Sequence, residues 1–314
     1  MAAIPAMTNR GRAGRSALRR REERAGWLFV LPWVLGLVIF IAYPVLATFY
    51  LSFAEYNIIQ PPRWIGLQNY ATMFSSDPDF WTAVGNSAYY AVISVVLGLV
   101  GSLLLALVMN LPTRGIGIYR TLYYLPGLVP PVVGTIVFML MLDPQNGLIN
   151  AALGSVGLPT PGWLNDADWS KPALILLSLW GIGSSALIFL AGLQEVPQSL
   201  LEAAMIDGAG PVQRFHQVTI PLLSPVILFN LVMGIIYSFQ VFTQALIIGG
   251  PTGQPLGSTL MFMVLIYRTA FTNFQMGYAA AQSVLLFLVI IVLTLVIFWT
   301  SRIWVYYEGG ERAR

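Results

Sequence analysis

Four neutral polar side chains recur along one stretch of this sequence: Asn230, Tyr237, Gln240 and Gln244. Counted from Asn230, the others fall at offsets of 7, 10 and 14 residues. On an α-helix at about 100° per residue these share an arc of roughly 80°. Amides and a phenol in one stripe hydrogen-bond hydroxyl groups without the desolvation cost of a full charge. An aromatic ring covers the apolar face of a sugar ring. The competing use of such residues is to glue helices together. Trp180, Ser184, Gln282 and Ser283 are weaker candidates of the same kind.

Other chemistry is excluded by what is missing. There are no cysteines, and His216 and Lys171 are single. Disulfides, thiolate catalysis and a multi-histidine metal centre are therefore out of reach. The phosphate-cradling pattern G-x-x-x-x-G-K-[ST] does not occur, so no nucleotide site is expected. Neither a catalytic residue, a metal nor a cofactor is assigned.

The elements that must position the polar stripe follow from composition. Of 314 residues, 57% are apolar and 9% charged, against about 25% charged in a soluble domain. Six stretches are long and apolar enough to cross a bilayer: 27–53, 87–109, 121–142, 173–193, 222–248 and 278–303. Each has the ~20 residues that a hydrocarbon core requires, and in lipid such segments must be helices. The fold class expected is all-α, a polytopic membrane protein. Residues 27–303 form its transmembrane domain, preceded by a basic tail at 1–26 that is disordered or lies on anionic lipid, and followed by a short tail at 304–314.

Placing both termini in the cytoplasm puts thirteen of the 16 basic residues on that side, as the positive-inside rule demands. No charged residue sits at the centre of a span, which argues against an ion-coupled carrier. Pro126, Pro130 and Pro131 must break the third span. The apolar run 260–267 is too short to cross and reads as an interfacial or re-entrant helix.

The loop 194–221 joins the fourth and fifth spans. Ser199 and Glu202 have capping-box spacing, which starts a helix. Asp207 and Gly208 stop it. A second helix starts at Pro211, places Val212, Phe215 and Thr219 on one face, and ends at Pro221. This compact unit, with an apolar side and a polar rim, suits docking into a partner's groove.

The same residues carry a specific resemblance. Glu202, Ala203, Ala204, Asp207, Gly208 and Ala209, followed by Phe215, Pro221 and Pro225, resemble the EAA motif of bacterial ATP-binding-cassette (ABC) importer permeases. Residues 65–70 (IGLQNY), Gly147 with Asn150, and Gly249-Gly250-Pro251 resemble further elements of the carbohydrate-uptake branch, which includes maltose and glycerol-phosphate permeases. The sequence departs from the pattern at Ile220, where leucine commonly stands, and lacks the extra first span and large outer domain of the maltose permease.

The resemblance implies the type I importer permease fold in the bacterial inner membrane. It makes Glu202, Ala203, Ala204, Asp207, Gly208, Ala209, Phe215 and Pro221 the ATPase-coupling set. The partners implied are a second permease subunit, two ATPase subunits, and an extracytoplasmic solute-binding protein that delivers a sugar. The alternatives are a glycerol-phosphate or other polar solute as cargo, or a stand-alone carrier or channel.

Overall fold

The computed structural model describes residues 11–306, and it is built almost entirely of helices. Helix α1 (Gly11–Leu37) passes through a π-turn (Val38–Ala42) into α2 (Tyr43–Ser52). A two-stranded antiparallel ribbon follows, β1 (Ala54–Glu55) and β2 (Arg63–Trp64), pairing Ala54 with Trp64. After α3 (Gln68–Ser75) comes α4 (Pro78–Met109), and then α5 (Ile116–Leu128) and α6 (Pro131–Met141). Next are α7 (Leu148–Ser155), α8 (Ala167–Trp180), α9 (Gly183–Glu195) and α10 (Gln198–Ile206). The chain closes with α11 (Pro211–Arg214), α12 (Ile220–Phe239), α13 (Thr243–Gly249), α14 (Phe262–Tyr267) and α15 (Met276–Trp304).

All six expected crossings have a helical counterpart. Four are long helices, and two are helix pairs bent at a break, by 101° between α5 and α6 and by 48° between α8 and α9. The first bend falls at Val129 and Pro130, where proline removes a donor and Pro131 opens the next helix. The second was not anticipated; Gly181 and Gly183 flank it.

Three other boundaries differ from expectation. Residues 11–26, read from the sequence as a basic tail that is disordered or lies on anionic lipid, are helical in the structure; alanine, arginine and glutamate favour helix, and Arg19 pairs with Glu23 one turn on. Residues 1–10 and 307–314, the ends of the two expected tails, lie outside the described residues. Pro221 does not end a helix: the π-turn Phe215–Thr219 carries α11 directly into α12. There Ile220 N–H donates to Phe215 O, five residues back. That wide turn relieves the clash that Pro221 would make with the carbonyl four residues back. The turn Val38–Ala42 does the same ahead of Pro44. The run 260–267 does form a short helix, α14, but it is mostly buried beside α4 rather than spread on a surface.

Packing inverts the pattern of a soluble protein. On α4 the buried positions include Ala83, Ser87, Ala91, Ser94, Ser102 and Ala106, while Val92, Val100, Leu104 and Val108 face outward. In lipid, apolar contact between helices gains nothing over contact with acyl chains, so close approach through small residues decides. The tightest approach of one helix backbone to another is at Gly183 on α9, where an added Cβ would lie 1.9 Å from Tyr123 O on α5.

Polar pins fix the loops at the end of the bundle opposite the 194–221 loop. Asn69 Nδ2 donates to Ser52 O (2.9 Å) and Ala54 O (3.1 Å), and Tyr70 O–H to Ser52 Oγ (3.0 Å). Trp163 Nε1 donates to Asn150 Oδ1 (2.8 Å), while Asn150 Nδ2 reaches Pro161 O (3.1 Å). Asn86 Nδ2 donates to Gly257 O (2.8 Å) and Leu260 O (3.1 Å), and takes Lys171 Nζ on its Oδ1 (3.2 Å). Asp77 caps α4 and accepts from Tyr278 O–H at 2.7 Å; Asp79 pairs with Arg268 at 2.6 Å. Asn69, Tyr70 and Asn150 thus have structural roles within the motif elements noted above.

The Gly183 contact generates a stability prediction. Gly183→Ala forces the α5 and α9 backbones apart and costs about 1–3 kcal/mol, seen as a lower Tm of the detergent-purified protein. Gly98→Ala, with nothing within 4 Å of the new carbon, leaves the Tm unchanged or raises it. Equal melting of the two variants contradicts the packing described.

Candidate functional site

Two features at different depths carry the functional geometry. The first is the 194–221 loop. Helix α10 starts after Pro197, and no side chain caps it. Ser199 lies inside the helix, so the capping box does not form; proline's extended backbone geometry sets the start instead. The C-terminus follows the sequence expectation. Gly208 takes φ +84°. Its N–H donates to Met205 O (3.1 Å), and Ala209 N–H donates to Ala204 O (2.9 Å). These two bonds make a Schellman turn, which favours glycine at this position. Gly210 N–H then donates to Gln213 Oε1 at 2.9 Å and fixes the start of α11.

The turn projects its residues outward. Glu202, Ala203, Asp207 and Gly208 are exposed, and Ala204 and Ala209 are half-buried. Ile206 (87% exposed) and Val212 (72%) flank the turn as bare apolar groups. Phe215 and Thr219 are half-buried, so Val212 does not share their environment. The 110–120 turn is pinned too, with Arg120 Nη2 donating to Met109 O (2.9 Å) at the end of α4. A cation at a helix C-terminus is favourable there.

The second feature is a cleft of about 450 Å³ between α4, the α8–α9 break and the α12–α13 break. Asn230, Tyr237, Gln240 and Gln244 all line it. The reason given for grouping them holds only in part. Helix α12 ends at Phe239, and α13 restarts at Thr243. Gln244 therefore reaches the cleft through a helix break and not through continuous periodicity. Asn230 Nδ2 donates back to Val226 O (2.9 Å).

The opposite walls supply Tyr90, Ser94 and Ser102 from α4, with Ser178 and Ser185 beside the second break. These were missed. Ser94, Gly98 and Ser102 stand four residues apart, a small-residue stripe legible in the sequence. The weaker candidates lie elsewhere. Trp180 lines a separate apolar pocket with Tyr123 and Pro126. Ser184 packs against Gly127, and Gln282 is fully buried. Ser283 Oγ donates to Ala279 O at 2.9 Å.

No Asp, Glu, Lys, Arg or His among the described residues lines the cleft. Its chemistry is hydroxyl, amide and phenol on an apolar frame, suited to binding a neutral polyol. No cluster of metal-ligating residues occurs among the described residues.

Comparison with known proteins gives this geometry a context. Residues 98–305 match the family described as "Binding-protein-dependent transport system inner membrane component". The chain is 40% identical to a probable ABC transporter permease, YesP of Bacillus subtilis, over 93% of this chain and 95% of that protein. It is 34% identical to the lactose transport system permease LacF of Rhizobium radiobacter, over 92% and 97% of the two chains. A solved bacterial ABC transporter, involved in import of the acidic polysaccharide alginate, shares the fold. Its TM-score is 0.80 at 24% identity, covering 92% of this chain and 98% of that one. A polytopic helical chain with this loop, matched over 93% of its length by such a relative, belongs to the binding-protein-dependent transport system inner membrane components, the multi-pass permease subunits of bacterial ABC importers.

Proposed function

We propose that this chain is one of two membrane subunits of an importer for a neutral sugar or oligosaccharide. An extracytoplasmic solute-binding protein delivers the cargo, and two ATPase subunits dock on the 194–221 loop. The observation that carries the reading is the uncharged cleft, in which Tyr90, Asn230, Tyr237, Gln240 and Gln244 converge from separate helices. A phosphate or carboxylate cargo calls for arginine or lysine. The basic residue nearest in kind, Arg268, lies outside the cleft and is already paired with Asp79. The lactose permease among the relatives supports a sugar, while the alginate importer shows that the fold also serves an acidic cargo.

The loop supplies the energy link. Thirteen of 16 basic residues support its placement on the cytoplasmic side. Its exposed Gly208 turn and flanking apolar residues fit a groove on an ATPase. ATP binding closes the ATPase pair and moves α10 and α11. Helix α12 continues from α11 and carries that movement to Asn230 and Tyr237. ATP hydrolysis itself takes place on the separate subunits.

Two measurements on the transporter reconstituted in liposomes test this. With a panel of neutral disaccharides and trisaccharides, Gln240→Ala raises the uptake KM about 3- to 10-fold, the loss of one hydrogen bond. Selective uptake of glycerol phosphate instead would sink the choice of cargo. In the loop, Gly208→Val disfavours the left-handed turn by about 1–2 kcal/mol and lowers solute-stimulated ATP hydrolysis about tenfold. Gly208→Asn, which tolerates the left-handed region, retains most of it. Equal activity of the two variants would remove the loop from coupling.

A further inference from the structure

Helix α1 does not stop where the apolar segment begins. It runs unbroken from Gly11 into the apolar segment that begins at Trp27. Arg20, Arg21 and Arg24 therefore stand on the same helix as the first crossing, and all three are exposed. At the α-helical rise, Arg24 is about 4.5 Å and Arg20 about 10 Å above Trp27 along the axis, a depth at which phospholipid headgroups lie.

Their angular placement is selective. At about 100° per residue, Arg20, Arg24 and Arg21 occupy an arc of about 100°. Glu22 lies roughly opposite Arg24 on the same helical wheel. Glu23 pairs with Arg19 at 3.4 Å, outside the arc. Among the described residues, no carboxylate forms an ion pair with Arg20, Arg21 or Arg24. Steps of three and four residues continue the stripe downward, from Arg24 to Trp27 and Leu28, and from Leu28 to Leu31. Those three side chains are 70%, 69% and 46% exposed. The stripe thus presents guanidinium groups, an indole at the interface, and an aliphatic strip in register. This is the order of chemistry of a phospholipid with an anionic headgroup: phosphate, glycerol region, acyl chain.

We infer that Arg20, Arg21 and Arg24, above Trp27, Leu28 and Leu31, form a binding site for an anionic glycerophospholipid on the first span. Guanidinium forks bind phosphate bidentately, and basic residues beside a span attract anionic lipid by about fivefold in affinity each. General positive-inside topology needs only the number of arginines on one side; a lipid site needs them on one face of the helix.

That difference sets the experiment. The exchange Glu22→Arg with Arg24→Glu keeps the number of basic residues and the net charge but breaks the stripe. The affinity-tagged full chain, with the subunits that co-purify, is exchanged into nanodiscs of phosphatidylcholine with or without phosphatidylglycerol. Retained lipid is counted by native mass spectrometry after extraction. The unaltered protein retains phosphatidylglycerol over phosphatidylcholine, and the preference falls at least about fivefold in the exchange variant and in Arg20→Gln with Arg21→Gln. It also falls in about 0.5 M salt. Because the chain has no cysteine, Ser199→Cys labelled by a membrane-impermeant maleimide reports orientation, which the exchange variant keeps. Undiminished preference in the exchange variant overturns the site. So does loss of a co-purifying protein subunit from that variant in lipid-free detergent, which would make the stripe a protein contact.

Discussion

Hydrocarbon gives no reward to one leucine for touching another, and every other feature of this fold works within that constraint. Helices in lipid come together where small side chains let backbones approach and where polar groups find partners. Gly183 against Tyr123 O is the clearest instance, and Gly192 against Val226 and Leu223 is a second. The constraint also explains why valine and leucine face outward on α4 while alanine and serine face in. Serines turned inward for packing are then available to line a cavity. Ser94 and Ser102 do both, since each is buried against neighbours and each contributes to the cleft. Packing and the cleft draw on one set of residues.

The same helical run links the two functional features. From Pro211 to Gly249 the chain forms one apolar segment of 39 residues, interrupted only by short breaks. Its first turns belong to the loop, and its middle and far portions carry Asn230, Tyr237, Gln240 and Gln244. A helix transmits axial displacement well, so a force on the Gly208 turn needs no chain of side-chain contacts to reach the cleft. The π-turn at Phe215–Thr219 sits between the two. It spares the run a kink at Pro221.

Much of this was legible in the residues, and the illegible part has a physical pattern. The six crossings follow from hydropathy, because length and apolarity in lipid leave helix as the only solution. The bend after Leu128 follows from proline, and the turn at Gly208 from the left-handed conformation that glycine permits. The breaks at Gly181 and Gln240 carry no proline. The first has a local signal in Gly181 and Gly183, since glycine weakens a helix; the second, at Gln240–Phe242, has neither proline nor glycine. Asn230 and Gln244 were grouped for a periodicity that α12 does not sustain, yet the fold brings both to the cleft. The capping box failed for a related reason: Ser199 and Glu202 have the spacing, but Pro197 had already set where α10 begins.

The absence of charge in the cleft bears on energy as well as on cargo. A carrier driven by protons must bind the proton within the membrane, and that task falls to ionisable side chains held there at a desolvation cost. Here Asp77, Asp79, Lys171 and Arg268 lie outside the cleft, and each is tied to a structural partner: a helix cap, an ion pair or Asn86. The cleft is left with amides, hydroxyls and phenols on an apolar frame. Groups of this kind take up no proton, and so draw no direction for transport from a proton gradient. On the proposed reading, direction enters where the chain offers a surface to another protein, and the exposed Gly208 turn just ahead of α11 is the candidate surface.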